Sequence, residues 1–294
     1  MSDSTKPPVR SKKHDPDSYP APLIVAPLSG THKQTTIILH GRDSNAEKFG
    51  PELLTSSIPG YGNLPTAFPN TKFIFPTASF RRATIYKRSW ITQWFDNWSL
   101  SNPTEREELQ IKGLKGSCAF VHEILRAEID IVGAENVVLG GLSQGCAASL
   151  VSLLLWDGPP LKAAFGMCGW LPYRSRLEEI VSGGEGENGD DDDLFEGAAG
   201  RHVEDPGLEA VKWLRSELGE QGGTEELRFR EIPLFLGHGV EDDRVCVCLG
   251  REAASFLKLL GVNVVMKEYG GLGHWYSGDM LNDLVGFVRL RTGC

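Results

Sequence analysis

The sequence predicts a single α/β domain built on a mostly parallel, doubly wound sheet with helices on both faces. Three observations lead there. Short apolar runs alternate with longer stretches of helical character over residues 21–294. Several of the runs are continuous Val/Ile/Leu/Phe segments rather than polar-apolar alternations, as parallel strands buried on both faces require. No self-similarity at a period of about 20–50 residues points to a repeat architecture instead.

The elements follow in chain order. Residues 1–20 are charged and proline-bearing, lack an apolar core of signal-peptide type, and are expected to form a disordered tail. Strands are predicted at 22–27, 35–40, 72–76, 136–140, 162–169, 232–237 and 262–269, each a run bounded by Gly, Pro, Asn or Asp. Helices are predicted at 104–131, 144–156, 206–218, 245–260 and 278–290, where apolar residues recur with helical spacing. The longest apolar stretch, 137–156, is broken by Ser143, Gln144, Ser149 and Ser152 and does not read as a membrane span.

The formal charge is −9, from 30 Lys+Arg against 39 Asp+Glu. Residues 174–230 alone hold 7 basic and 16 acidic residues, so this one stretch carries the whole excess. The remainder is balanced, which excludes both a basic nucleic-acid footprint and a generally acidic protein. Within the acidic stretch, residues 183–200 combine six glycines with the run Asp190 to Asp193, too little apolar surface to order itself. It reads as a flexible surface insertion in the α/β domain, whose deletion should leave folding intact. Leu208, Val211, Trp213 and Leu214 beside it suit an amphipathic helix packed on the body. The six cysteines lack metal-ligand spacing, Cys246-Val247-Cys248 included, and are expected to be buried reduced thiols of a cytoplasmic protein.

Functional groups of open parallel sheets gather beyond the carboxyl ends of the strands. The strand at 136–140 runs into Gly141-Leu142-Ser143-Gln144-Gly145, a G-x-S-x-G followed by a small-residue helix. In such an elbow the serine sits on a strained turn that exposes its hydroxyl, and flanking glycines prevent collisions. The next backbone N–H, that of Gln144, then faces a developing oxyanion at the helix start. A serine hydroxyl needs an imidazole to take its proton and a carboxylate to orient that imidazole. His238-Gly239-Val240-Glu241-Asp242-Asp243 follows the strand at 232–237, and Gly270-Gly271-Leu272-Gly273-His274 follows the strand at 262–269. Serine, acid, histidine is the chain order of α/β-hydrolases. His274, after the acid and in a glycine-rich loop, is the candidate base. Glu241, Asp242 and Asp243 are adjacent, and local chemistry does not choose among them. The loop His40-Gly41-Arg42-Asp43 offers the Arg42 N–H as a second oxyanion donor, or else a plain strand-to-helix turn capped by Asp43 or Ser44.

Taken together, Leu39-His40-Gly41, Trp94-Phe95-Asp96, Gly140-Gly141-Leu142-Ser143-Gln144-Gly145, Cys168-Gly169-Trp170-Leu171-Pro172, His238-Gly239 with Asp242, and Gly273-His274 resemble the acyl-protein thioesterase, or phospholipase/carboxylesterase, family of α/β-hydrolases over residues 37–290. The resemblance implies a serine hydrolase without metal or organic cofactor that cleaves acyl thioesters or oxygen esters. It assigns Ser143 as nucleophile, Asp242 as acid, His274 as base, and the Arg42 and Gln144 N–H groups as oxyanion hole. The choice of Asp242 comes from the family's spacing. Three departures stand out: Asp43 at the second glycine of His-Gly-x-Gly, which brings a carboxylate near the site; the long acidic segment; and the aromatic density of residues 80–100.

The last departure suggests a substrate-facing flap, with Trp90, Trp94 and Phe95, and with Trp170 and Leu171 beyond it, sheltering an acyl chain. The same aromatics would equally suit a second subunit in a homodimer or a membrane surface. The expected partner is an acyl ester or thioester, either a small molecule or an S-acylated protein. Two rival readings remain: a small-molecule esterase of a biosynthetic pathway, and a catalytically silent hydrolase fold that serves as a binding module.

Overall fold

The computed structural model describes residues 18–183, 205–219 and 226–291. The tail at 1–17, most of the stretch at 183–200 and Cys294 lie outside them.

Seven strands form one sheet in the order β1-β3-β2-β6-β7-β8-β9: β1 (Leu23–Val25), β2 (Gln34–Leu39), β3 (Thr71–Phe75), β6 (Val137–Leu142), β7 (Ala163–Met167), β8 (Leu234–Gly239) and β9 (Val264–Tyr269). Only the short edge strand β1 is antiparallel. The other six run parallel, and all seven coincide with predicted strands. Two further strands, β4 (Phe80–Ala83) and β5 (Ser89–Thr92), make a separate antiparallel hairpin. No strand is predicted from the sequence in that region.

The helices are α1 (Ala46–Thr55), α2 (Leu64–Ala67), α3 (Ile111–Val132), α4 (Gln144–Leu154), α5 (Arg174–Val181), α6 (Pro206–Glu217), α7 (Val247–Leu259) and α8 (Gly278–Arg289). Residues alternate between the two sheet faces, and both faces are covered. Ile37, Leu39, Ile74, Val137, Leu139, Leu234 and Leu236 join one core with α3, α4, α6 and α7. Ile38, Phe73, Phe75, Val138 and Phe235 join the other with α1 and α8. Period-two packing against helices on both sides explains why the strands read as continuous apolar runs.

Three boundaries differ from expectation for local reasons. The helix predicted at 104–131 begins only at Ile111, because Arg106 adopts φ 55° and the Gln110 side chain turns back to the Pro103 carbonyl at 2.9 Å. Helix α1 was hidden by its Gly50 and Pro51. Neither Asp43 nor Ser44 caps it; Asn45 does, its side chain accepting from Lys48 N–H at 2.9 Å. Helix α6 buries Gly207, Ala210, Val211 and Leu214, the i, i+3, i+4, i+7 stripe of a helix laid on a core. Trp213 sits at the margin of that stripe, edge-on to Tyr173 with ring centres 5.8 Å apart. Cys118, Cys146 and Cys168 are buried thiols, but Cys246 and Cys248 are paired as a disulfide at the start of α7, contrary to the expectation of reduced thiols throughout. Among the described residues no helix is long and apolar enough to cross a membrane.

Candidate active site

The strand order reverses between β2 and β6: β3 and β1 build outward from β2, and β7, β8 and β9 from β6. A crevice opens beyond the strand ends at such a switch point. The register Leu39↔Gly141 sets the loop after β2 beside the loop after β6, so that a Cβ built on Gly41 would lie 3.5 Å from the Ser143 Cβ.

Ser143 lies between β6 and α4 with φ 57° and ψ −120°, a strained conformation for a residue with a side chain. Its N–H is tied to the Met167 carbonyl at 2.8 Å. Close approach makes both flanking glycines obligatory: a Cβ on Gly145 would stand 2.3 Å from the Leu39 carbonyl oxygen, and one on Gly141 would stand 2.4 Å from the Gly145 backbone. The Gln144 side chain braces the turn from behind. Its Oε1 accepts from Trp94 N–H at 3.0 Å and its Nε2 donates to the Phe95 carbonyl at 2.7 Å, while Trp94 Nε1 donates to the His40 carbonyl at 2.8 Å.

His274 Nε2 lies 2.8 Å from Ser143 Oγ, and His274 Nδ1 lies 2.7 Å from Asp242 Oδ2. The Asp242 carboxylate is buried and is the one of the three neighbouring acids that reaches the imidazole; Glu241 and Asp243 are exposed. Its Oδ1 accepts from Arg244 N–H at 3.0 Å and Val245 N–H at 2.8 Å. Burial pushes its pKa up, but hydrogen bonds from His238, His274 and Val245 outweigh this and hold the carboxyl well below the usual range. Such an anion fixes His274 as the Nδ1–H tautomer, leaving Nε2 free to accept the serine proton.

His238 contributes to this charge arrangement, which sequence reasoning did not anticipate. Buried on β8, its Nε2–H points at the Val245 carbonyl at 2.9 Å and lies 3.2 Å from Asp242 Oδ2. The only signal available was its four-residue spacing from Asp242. Cys168 completes a close grouping of potential metal ligands with His238 and Asp242. These groups are already engaged, Asp242 with His238 and His274, His238 also with the Val245 carbonyl, and the Cys168 thiol with the Trp275 carbonyl at 3.3 Å, and burial pushes that thiol up to about 12.

His40, the other histidine at a strand end, stands apart from the proton relay. It is fully buried, and its Nε2 accepts from Ala78 N–H at 3.0 Å, so its Nδ1–H donates to the Gly41 carbonyl at 2.6 Å. The loop after it is pinned to the hairpin: Asp43 N–H donates to the Thr92 carbonyl at 2.9 Å, and the Thr92 hydroxyl donates to the Ser44 carbonyl. Asp43 has φ 57°. It thus keeps the left-handed backbone for which glycine is the usual residue, a conformation Asp tolerates better than most. Its side chain is exposed and does not border the cavity, so the carboxylate expected near the site is directed elsewhere.

A cavity of about 680 Å³ opens over Ser143 and His274. Arg42, Gln144 and Trp170 border it, as do Tyr86 and Trp275, which were not expected there. The anticipated aromatic flap needs correction. Trp94 and Phe95 are fully buried and serve as core, Phe95 backing Trp170 edge-on with ring centres 6.0 Å apart. Leu171 is also buried in the core. Trp90 is 40% exposed on the hairpin, stacked on Phe80 with Arg82 over its ring, and it does not border the cavity. The hairpin touches the cavity through Tyr86. Aromatic content alone could not distinguish a residue facing a substrate from one filling the space beneath it.

A parallel sheet with a serine elbow at its switch point and an acid and histidine on the two following strand ends defines an α/β-hydrolase. The chain belongs to the phospholipase/carboxylesterase family, whose model matches residues 21–185. It is 24% identical to acyl-protein thioesterase 1 of Candida albicans over 272 residues, covering 90% of this chain and 96% of that protein. It is 26% identical to a probable carboxylesterase SOBER1-like protein of Arabidopsis thaliana over 276 residues, with 90% and 86% covered. Among solved structures, Zea mays acyl-protein thioesterase 2 superposes with a TM-score of 0.65 at 25% identity, covering 94% of this chain and 100% of that one.

Proposed function

We propose that this hydrolase cleaves acyl esters or thioesters through an acyl-enzyme on Ser143. The observation that carries the reading is the unbroken relay Ser143 Oγ, His274, Asp242, with links of 2.8 and 2.7 Å, facing a cavity large enough for an acyl chain. Ser143 attacks the acyl carbonyl as His274 Nε2 takes its proton, and Asp242 stabilises the imidazolium. Arg42 and Gln144 border the same cavity, and on this reading their backbone N–H groups receive the oxyanion. Gln144 is the first residue of α4, so its amide has no acceptor further back in the helix, and the helix dipole favours negative charge there. Each such donor typically contributes about 2.7–4 kcal/mol to the barrier reduction. His274 then protonates the departing alcohol or thiol, and water repeats the cycle to release the acid.

The relatives named as thioesterases and carboxylesterases support esters and thioesters as the substrate class. Fluorophosphonate should label the wild-type protein and leave Ser143→Ala unlabelled. The same substitution should lower turnover of p-nitrophenyl acyl esters by at least about 10³-fold. Undiminished hydrolysis by Ser143→Ala would remove the assignment. Absence of labelling in folded wild-type protein would favour a silent binding module.

A further inference from the structure

Arg42 occupies the position between Gly41 and Asp43 where its backbone serves the proposed oxyanion hole, but its side chain poses a separate question. All three guanidinium nitrogens are buried, and among the described residues none has a hydrogen-bond partner. Guanidinium is the most donor-rich side chain, with five N–H groups in a fixed fork, and leaving such a cation buried and unpaired is costly. Asp96 lies within electrostatic range but does not satisfy it, being taken by the Thr84 N–H at 2.8 Å and the Thr84 hydroxyl, and the Tyr86 phenol, also within range, is neutral near pH 7. Burial pushes the Arg42 pKa down to about 10, which still leaves the group cationic at neutral pH.

Two further features surround this cation. Trp170 Nε1, a buried donor on a residue of the same cavity wall, also has no acceptor among the described residues. The hairpin that reaches the cavity through Tyr86 carries Arg81, Arg82, Lys87 and Arg88 and no acidic residue between Phe80 and Thr92. A flap of one sign beside a cavity raises the local concentration of anions. The remaining wall mixes the apolar Phe49, Leu100, Leu142 and Val245 with Ser44 and one exposed charge of each sign, Asp243 and Arg244, so that Arg42 is its buried cation.

We infer that Arg42 is a carboxylate anchor, and that the preferred substrate is an ester or thioester bearing a free carboxylate on its acyl or its leaving group. The planar fork pairs bidentately with a carboxylate, and such a pair gives orientation as well as affinity. Tyr86 is the group that yields to admit the ligand: it is exposed, and it precedes Lys87 and Arg88, which have φ 52° and 62°. This inference rests on the ester-hydrolase reading above and deepens it.

The test compares p-nitrophenyl hexanoate with the p-nitrophenyl monoester of adipic acid, which differs by a terminal carboxylate on the acyl side. Phenyl hexanoate and 4-carboxyphenyl hexanoate place the charge on the leaving group instead. The wild-type protein is expected to favour the anionic member of one pair by about tenfold or more in kcat/KM. The pair that shows the preference identifies the half of the substrate that Arg42 holds. In Arg42→Met the ratio of anionic to neutral substrate should fall to about one or below, whatever happens to either rate alone, and adipate should cease to inhibit competitively. No preference in the wild type on either pair overturns the anchor without need of a variant, and so does a preference retained by Arg42→Met. Neutral esters turned over in a Ser143-dependent manner with no preference would reject the anchor and leave the hydrolase reading standing. Turnover that survives Ser143→Ala would reject that reading itself.

Discussion

His238 Nε2 and His274 Nδ1 converge on the same carboxylate oxygen, Asp242 Oδ2, at 3.2 and 2.7 Å. The acid is therefore held from two sides, one histidine facing the serine and the other locked in the core beside Val245. His238→Ala removes one of the donors that depress the Asp242 pKa. The expected result is a fall in kcat/KM of about ten- to a hundredfold through loss of positioning. Asp242 should also protonate at a higher pH. A carboxyl with a depressed native pKa lends stability that is present above its unfolded value, near about 4, and is lost as pH falls through its native value. Acid unfolding of the variant should thus begin at higher pH, which urea titrations across pH 3–6 would measure. A purely space-filling His238 would lower stability equally at every pH.

Gln144 gives a prediction for the brace behind the nucleophile. Gln144→Leu is close in volume but leaves Trp94 N–H and the Phe95 carbonyl without their partners in a buried place. Each stranded group typically costs about 1–3 kcal/mol, so the variant should lose roughly 2–5 kcal/mol by chemical denaturation. Gln144→Glu can still accept from Trp94 but sets an acceptor against the Phe95 carbonyl, and it should show no better stability than Leu.

Asp43 tests the backbone argument. With φ 57° and an exposed side chain, Asp43→Gly should be neutral or stabilising by up to about 1 kcal/mol, since it relieves the left-handed strain. Asp43→Val should destabilise by about 1–2 kcal/mol and weaken activity, because the loop it distorts carries the Arg42 amide. Thermal melts with p-nitrophenyl ester rates would read both effects.

His40 sets a pH dependence of its own. Burial lowers its pKa from 6.5 to about 4. Between these values the unfolded chain binds a proton that the folded protein refuses, so stability falls as pH is lowered from about 6.5 toward 4, by up to about 3 kcal/mol. His40→Gln, which retains an acceptor for Ala78 N–H, should flatten that part of the stability profile. An unchanged slope would mean that other groups carry it.

The sequence alone determined the mostly parallel sheet, since all seven of its strands announce themselves as apolar runs, and it placed Ser143, Asp242 and His274 each just beyond a strand end. These are local properties: a run of residues covered on both faces, and a turn that only glycine neighbours permit. Tertiary structure decided what depends on which surfaces meet. Trp94 and Phe95 read like cavity walls but are core, because α3 and the Gln144 brace close over them, whereas Trp170 and Tyr86 border the cavity over Ser143. Asp242 and Asp243 are chemically identical neighbours, and only the packing of the loop after β8 against the loop after β9 turns one toward His274 and the other to solvent. The unpaired state of Arg42 was likewise illegible in a string of residues. A missing partner is a property of three-dimensional surroundings, and no spacing along the chain records it.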